Sequence, residues 1–461
     1  MHLTTILSLL TAVAPLAAAK QAADFTLSAK EYESYGCQDM CQKTVKEAVE
    51  LDREAMMPDF DYDFYATAHN FSTSLQPGKV LKFETFNAND RNVSSGNTVY
   101  RIQYTSLDLN GSVVPVTGFI AFPQVNARAT EGKFPLVAWA HGTIGLFRGC
   151  APTNSPNFYD YATWQPIVDR GYAVVGTDYA GLGNNYTVHR YLTHKVHAND
   201  IYYSVKAARS VLGHLLTDEW MSAGHSQGGG AVWKLAESHY VRNDSNYLGT
   251  VALSPATYVV DMIVDEYTEI SSEDNSLDDA GSLLGYLTFI PFAIKRGLPS
   301  FNGTLVAPAM QKRIDLAEKT QVCIDGMFSM VVGLNETELV DVEGFATSLP
   351  ALKEWQNANS AALGGKSPAP VLVIQGTNDT SVLMNTTKQA WKKSCSSGNE
   401  VHLRLYDGQE HSPTPQAAEP EWLGWIETRF FGQRTSLSKN KCSQKLRGLM
   451  AGNNTKTPPE S

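Results

Sequence analysis

Gly224-His225-Ser226-Gln227-Gly228 is the segment with the clearest chemical content in this sequence. It is a G-x-S-x-G, with a strand-like run over 220–223 before it and a helix-like run opening on Gly228, Gly229 and Gly230 after it. A serine in that position stands at a sharp turn between strand and helix, where the flanking glycines relieve crowding and the hydroxyl projects above the sheet. Five loosely specified positions recur by chance, and a glycine-rich turn with an N-capping serine is the bland reading. The strand–turn–helix context favours a nucleophile.

A serine hydroxyl is a poor nucleophile at neutral pH, so it needs a histidine base, and the base needs an acid that fixes its tautomer. Around a strand–turn–helix serine these follow in the chain order serine, acid, histidine. Three histidines lie C-terminal to Ser226: His239, His402 and His411. His239 falls at the end of the nucleophile's own helix, and His402 lies inside the alternating run 401–406. His411 is the expected base, because the loop Asp407-Gly408-Gln409-Glu410-His411 leaves it free to reach the serine. The acid should end the preceding strand, and Asp379 does so after Val371-Leu372-Val373-Ile374-Gln375-Gly376-Thr377-Asn378. Its competing role is as N-cap of a helix near 383–393. Asp407 is the rival acid, disfavoured because its own loop carries the base.

A tetrahedral intermediate also needs N–H donors aimed at its oxyanion. One is expected from the backbone of Gln227, directly after the nucleophile, and a second from Thr143, in the loop His141-Gly142-Thr143-Ile144-Gly145. His141 itself reads as a loop-shaping residue, since its place in the chain order is wrong for a base. His194 and His197 have no evident third metal ligand nearby and read as polar residues at a helix start. No metal and no cofactor are expected.

These groups need a scaffold, and the chain supplies one. Runs 79–86, 97–108 and 113–122 alternate as antiparallel strands do, with Asn110-Gly111 marking a hairpin. Beyond them, 134–140, 172–177, 219–223, 248–253 and 370–375 are short apolar runs fit for strands buried on both faces, with helical candidates at 159–170, 197–212 and 228–240 between them. The expected fold class is α/β, of the α/β-hydrolase type: a mostly parallel sheet with helices on both faces and an inserted cap (lid) subdomain. The divisions read as an export signal over 1–19, an N-terminal lead-in over 20–76, the first part of the core over 77–254, the cap over 255–368, the second part of the core over 369–432 and a C-terminal tail over 433–461. The cap is far too long for a simple connection, and its stretch 280–301 carries Leu283, Leu284, Tyr286, Leu287, Phe289, Ile290, Phe292 and Ile294. These suit either a lid over an acyl pocket or the packing of the cap onto the sheet.

Composition and charge limit the partners. The 461 residues are 43% hydrophobic and carry a formal net charge of -10 without any Lys/Arg-rich run, which argues against nucleic acid and anionic membranes. The apolar N-terminal stretch Leu3 to Val13, followed by Ala17-Ala18-Ala19, reads as a signal peptide cleaved near Ala19, being shorter than the roughly 20 residues a spanning helix needs. Six cysteines without a C-x2-C pair favour disulfides. Sequons stand at Asn70, Asn92, Asn110, Asn185, Asn243, Asn302, Asn335, Asn378, Asn385 and Asn453, that of Asn378 adjoining the candidate acid. A secreted ester hydrolase is the function expected, with a small-molecule or lipid ester as substrate, at most transient contact with a lipid interface, and no stable membrane insertion. A triacylglycerol lipase and a short-chain esterase would share all of these features. A serine peptidase and a catalytically silent binding module of the same fold are the readings from other classes.

Ala138-Trp139-Ala140-His141-Gly142-Thr143, Gly149-Cys150-Ala151-Pro152, Thr177-Asp178-Tyr179-Ala180-Gly181-Leu182-Gly183 and Gly224-His225-Ser226-Gln227-Gly228-Gly229 together resemble the fungal secretory lipase family and related bacterial and fungal esterases. The likeness runs from about Pro77 to about Gly432 and is poorest across the cap. It implies a triad of Ser226, Asp379 and His411 beneath a cap domain. It also implies disulfides joining Cys150 to Cys323 and Cys395 to Cys442, which leaves Cys37 to pair with Cys41.

Overall fold

The computed structural model describes residues 21–86, 92–94, 96–125, 132–270, 281–432 and 442–448. The expected export signal, 1–19, lies outside them. Ten strands form one sheet: β1 (Val80–Phe86), β2 (Thr98–Leu107), β3 (Val113–Phe122), β4 (Phe134–Ala140), β5 (Ala173–Thr177), β6 (Leu216–His225), β7 (Tyr247–Leu253), β8 (Val371–Gly376), β9 (Val401–Tyr406) and β10 (Cys442–Arg447). Their order is β1-β2-β3-β5-β4-β6-β7-β8-β9-β10. The first three strands and the β3–β5 pair are antiparallel; from β5 through β10 every pairing is parallel. The β2–β3 hairpin turns where Asn110-Gly111 marks it, Gly111 taking φ +80°, a left-handed conformation that costs glycine little.

Parallel strands need crossovers, and the crossovers bury both faces of the sheet. Alternation along β4 sorts its side chains: Leu136, Ala138 and Ala140 join one core with Ile201 and Val205 of the helix His194–Leu212, while Val137 and Trp139 join the opposite core with Trp164 and Trp422. The α/β-hydrolase class expected from the sequence is the architecture observed, a large, mostly parallel sheet with helices.

A third core lies above the C-terminal ends of the strands. It unites Ile144, Leu146 and Phe147 of the loop after β4 with Phe289, Ile290 and Phe292 of the cap and with Val45 and Val49 of the helix Asp39–Glu54. Residues of the lead-in are therefore part of the cap's packing: Asp52 accepts the N–H groups of Cys323, Asp325 and Gly326, and a side chain on Gly149 would collide with Ala23, its Cβ only 2.4 Å from that of Ala23. Disulfides join Cys37 to Cys41, Cys150 to Cys323 and Cys395 to Cys442.

Two expectations change on inspection. The helix expected over 159–170 contracts to Gln165–Asp169, because Phe158, Tyr159 and Ala162 adopt positive φ and the Asp160 carboxylate gathers the N–H groups of Thr163, Trp164 and Gln165. Within the expected tail, Cys442–Arg447 forms β10 beside β9, anchored by the Cys395 disulfide.

Candidate active site

Strand β6 delivers Ser226 directly to the N-terminus of the helix Gln227–Ala236 at φ +57°, ψ −118°, a conformation that L-residues rarely adopt and that neighbouring structure must enforce. Enforcement comes from three sides. The Ser226 N–H donates to the Leu253 carbonyl at 2.9 Å, and its own carbonyl accepts from Gly230 and Ala256 at 3.1 and 3.0 Å. The turn is also closed against β4: a Cβ on Gly228 would lie 2.0 Å from the Ala140 oxygen, so only glycine lets the two chains approach. As the first residue of its helix, Gln227 presents an N–H without an intrahelical acceptor beside Ser226.

On the far side of β7, the Asp379 carboxylate is buried and fixed by its own loop. Its Oδ1 accepts from Ser381 and Val382 at 3.0 and 2.8 Å, and its Oδ2 accepts from Gln375 Nε2 at 3.0 Å and faces His411 Nδ1 at 2.8 Å. Asp379 does not cap the following helix, Met384–Ser396, whose N-cap is Leu383. Asp407 instead accepts from Thr377 Oγ1, and His402 is engaged by Ser443 and Glu400 on the strand. Of the histidines after Ser226, His411 is thus the one joined to a buried carboxylate. Its Nε2 is buried with no hydrogen-bond partner.

Thr143 stands in the loop after β4, its carbonyl accepting from Tyr159 Oη at 2.7 Å and its Oγ1 lying 2.8 Å from Tyr191 Oη. The same loop is tied to the cap by a β-bridge between Gly145 and Cys323 and by the Cys150–Cys323 disulfide. His141 shapes this loop, as expected: Nδ1 lies 2.6 Å from the Gly142 carbonyl and Nε2 3.3 Å from that of Asp178, while burial lowers its pKa to about 4 and keeps it neutral.

His194 and His197 begin a helix as expected. Both are buried, and burial lowers the His194 pKa to about 3. Among the described residues no group of three His, Cys, Asp or Glu side chains could hold a metal ion.

Ser226 and Thr143 open onto a cavity of about 1140 Å³, its open mouth included, walled by Met262, Leu283, Leu287, Ile290, Val340 and Phe345. Five of these six come from the cap stretch 280–301 or from later parts of the cap. Sequence reasoning missed Tyr159 and Tyr191, which hydrogen-bond Thr143, Tyr161, which bonds His225, and Gln375, which bonds Asp379. Only Gln375 carried a signal, as a polar residue ending an otherwise apolar strand.

Comparison with known proteins follows the same lines. The sequence profile of secretory lipases matches residues 157–437. No curated protein matches the sequence at a significant level. Among solved structures, the rice cell wall degrading esterase LipA from Xanthomonas oryzae is 20% identical with a TM-score of 0.61, over 77% of this chain and 98% of that one. A hydrolase from Legionella pneumophila is 16% identical with a TM-score of 0.64, over 78% and 100%. Candida antarctica lipase A in its closed state is 16% identical with a TM-score of 0.61, over 81% and 86%. At such identities the three structures speak for the fold.

Proposed function

The chain belongs to the secretory lipase family and is a carboxylic ester hydrolase, and we propose that it works through Ser226, His411 and Asp379 by way of an acyl-enzyme. The observation that carries this reading is the His411–Asp379 hydrogen bond at 2.8 Å, made next to a serine held at a strained elbow. With its Nδ1 proton directed at Asp379, the His411 ring keeps its lone pair on Nε2, the nitrogen that has no other partner. In the first half-reaction Ser226 Oγ attacks the ester carbonyl as Nε2 takes its proton, and His411 then hands that proton to the departing alcohol. The N–H groups of Gln227 and Thr143 receive the oxyanion. Water, activated by the same nitrogen, releases the acid in the second half.

The wall of Met262, Leu283, Leu287, Ile290, Val340 and Phe345 supports an acyl chain of medium or long length over an acetyl group, since a short acyl group would leave most of that surface unfilled. Rates on p-nitrophenyl acetate, butyrate and palmitate, measured beside a panel of peptide anilides, test this directly. Preference for palmitate is expected; a preference for acetate or butyrate, or cleavage of anilides, contradicts it.

Three disulfides and nine sequon asparagines that are exposed, from Asn70 to Asn385, agree with export through an oxidising, glycosylating route. No helix among the described residues is long and apolar enough to cross a membrane.

A further inference from the structure

We propose that His225, the residue before the nucleophile, and Tyr161 form a positioning pair that holds the loop of His411 in register with Ser226; this rests on the reading of Ser226 and His411 as nucleophile and base. His225 is buried, and its Nε2 lies 3.3 Å from the carbonyl oxygen of His411. A carbonyl can only accept, so Nε2 carries the proton. Burial, and then the proximity of His411, hold the His225 pKa well below its usual value, so the ring is neutral and Nδ1 is bare. Tyr161 Oη, 2.6 Å from that nitrogen, is therefore the donor.

The two bonds form one line from the Tyr161 hydroxyl through the His225 ring to the His411 carbonyl. It joins the loops after β4 and β9 to the elbow after β6. The three meet closely, since a Cβ on Gly142 would lie 3.0 Å from Tyr161 Oη, 3.4 Å from Ser226 Cβ and 3.5 Å from His225 Nδ1. The rings of His225 and His411 also lie against each other, with centroids 4.6 Å apart.

Asp379 fixes one nitrogen of His411 and therefore the tautomer, but a single hydrogen bond leaves the ring free to tilt about it. His225 removes that freedom by holding the ring face and the backbone carbonyl together. Because His225 is covalently joined to Ser226, the constraint is referred to the nucleophile itself. A misplacement of about 1 Å between reacting groups costs on the order of 100-fold in rate, so the pair acts on turnover and not on substrate affinity.

The test compares Tyr161→Phe, His225→Phe and His225→Gln with the parent and with Ser226→Ala, by steady-state kinetics on p-nitrophenyl butyrate and by thermal unfolding. Expected for Tyr161→Phe is a fall in kcat of about tenfold with KM within about twofold, and for His225→Phe a fall of about 100-fold. His225→Gln, whose amide retains one donor and one acceptor, should recover activity above His225→Phe. Values of kcat within twofold of the parent, a loss confined to KM, or a His225→Gln no better than His225→Phe would each overturn the proposal. If His225→Phe does not fold, Tyr161→Phe, which removes a single oxygen, decides alone. An active Ser226→Ala brings down the underlying reading, whereas an inactive one beside a fully active Tyr161→Phe brings down only the positioning pair.

Discussion

His411 Nδ1 and Asp379 Oδ2 lie 2.8 Å apart, although 32 residues separate them in the chain. The two sit on loops that follow neighbouring parallel strands, β8 and β9, so the sheet itself sets their approach. The carboxylate is held by Gln375, Ser381 and Val382 before it meets the imidazole, which makes it a fixed reference and not a mobile counter-ion.

That arrangement distinguishes two aspartates experimentally. Asp379→Asn should lower kcat by about 10³ to 10⁴, because the amide cannot stabilise the productive tautomer or the imidazolium. Asp407→Asn should change it by less than about tenfold, its carboxylate being engaged with Thr377. Steady-state rates of the two variants check this, and the opposite ranking would move the acid role to Asp407.

The disulfide between Cys150 and Cys323 links residues 173 positions apart and ties the cap to the loop that carries Thr143. Chain-entropy arguments give such a closure about 5 kcal/mol. More telling is its place: graded reduction should reduce activity before global unfolding is complete, since the bond braces the loop of Thr143, the residue proposed to supply an oxyanion N–H. Activity and tryptophan fluorescence followed along a dithiothreitol series should separate. Coincident losses, or non-reducing peptide maps with Cys150 paired elsewhere, would contradict the account.

Acid sensitivity follows from His194, whose two ring nitrogens are buried without partners and whose pKa burial lowers to about 3. The unfolded chain binds this proton near 6.5, so between that pH and about 3 unfolding takes up a proton that the native state refuses. Stability contributed by the group is full above 6.5 and declines as pH falls. His194→Leu should therefore narrow the stability difference between pH 6.5 and 4.5 by about 2 kcal/mol, measured by urea denaturation at both. An unchanged difference would mean that His194 is protonated or hydrogen-bonded in the folded protein.

The same residue illustrates where the sequence stopped being readable. Its place at a helix start followed from local pattern, but its burial did not, because it depends on Gly230 of another helix, where a Cβ would approach His194 Cε1 to 2.4 Å. The elbow, the parallel strands and the three candidate triad positions could be read because each is a local pattern fixed by chain order. Tyr159 and Tyr161 could not, since a left-handed turn organised by the Asp160 side chain looks in sequence like the start of a helix. Strand β10 was hidden for a different reason. It is an exposed edge strand without apolar alternation, held in place by β9 and a disulfide.

The most direct measurement treats the purified protein and its Ser226→Ala variant with a p-nitrophenyl alkylphosphonate, follows ester hydrolysis, and maps the adduct by peptide mass spectrometry. One phosphonyl group on Ser226 per active chain is expected, with activity lost in proportion to labelling. Ser226→Ala should take up no label and hydrolyse esters at least about 10⁴-fold more slowly while unfolding at the same temperature. Stoichiometric labelling of another residue, or a folded Ser226→Ala protein that retains its activity, would contradict the assignment of Ser226 as nucleophile.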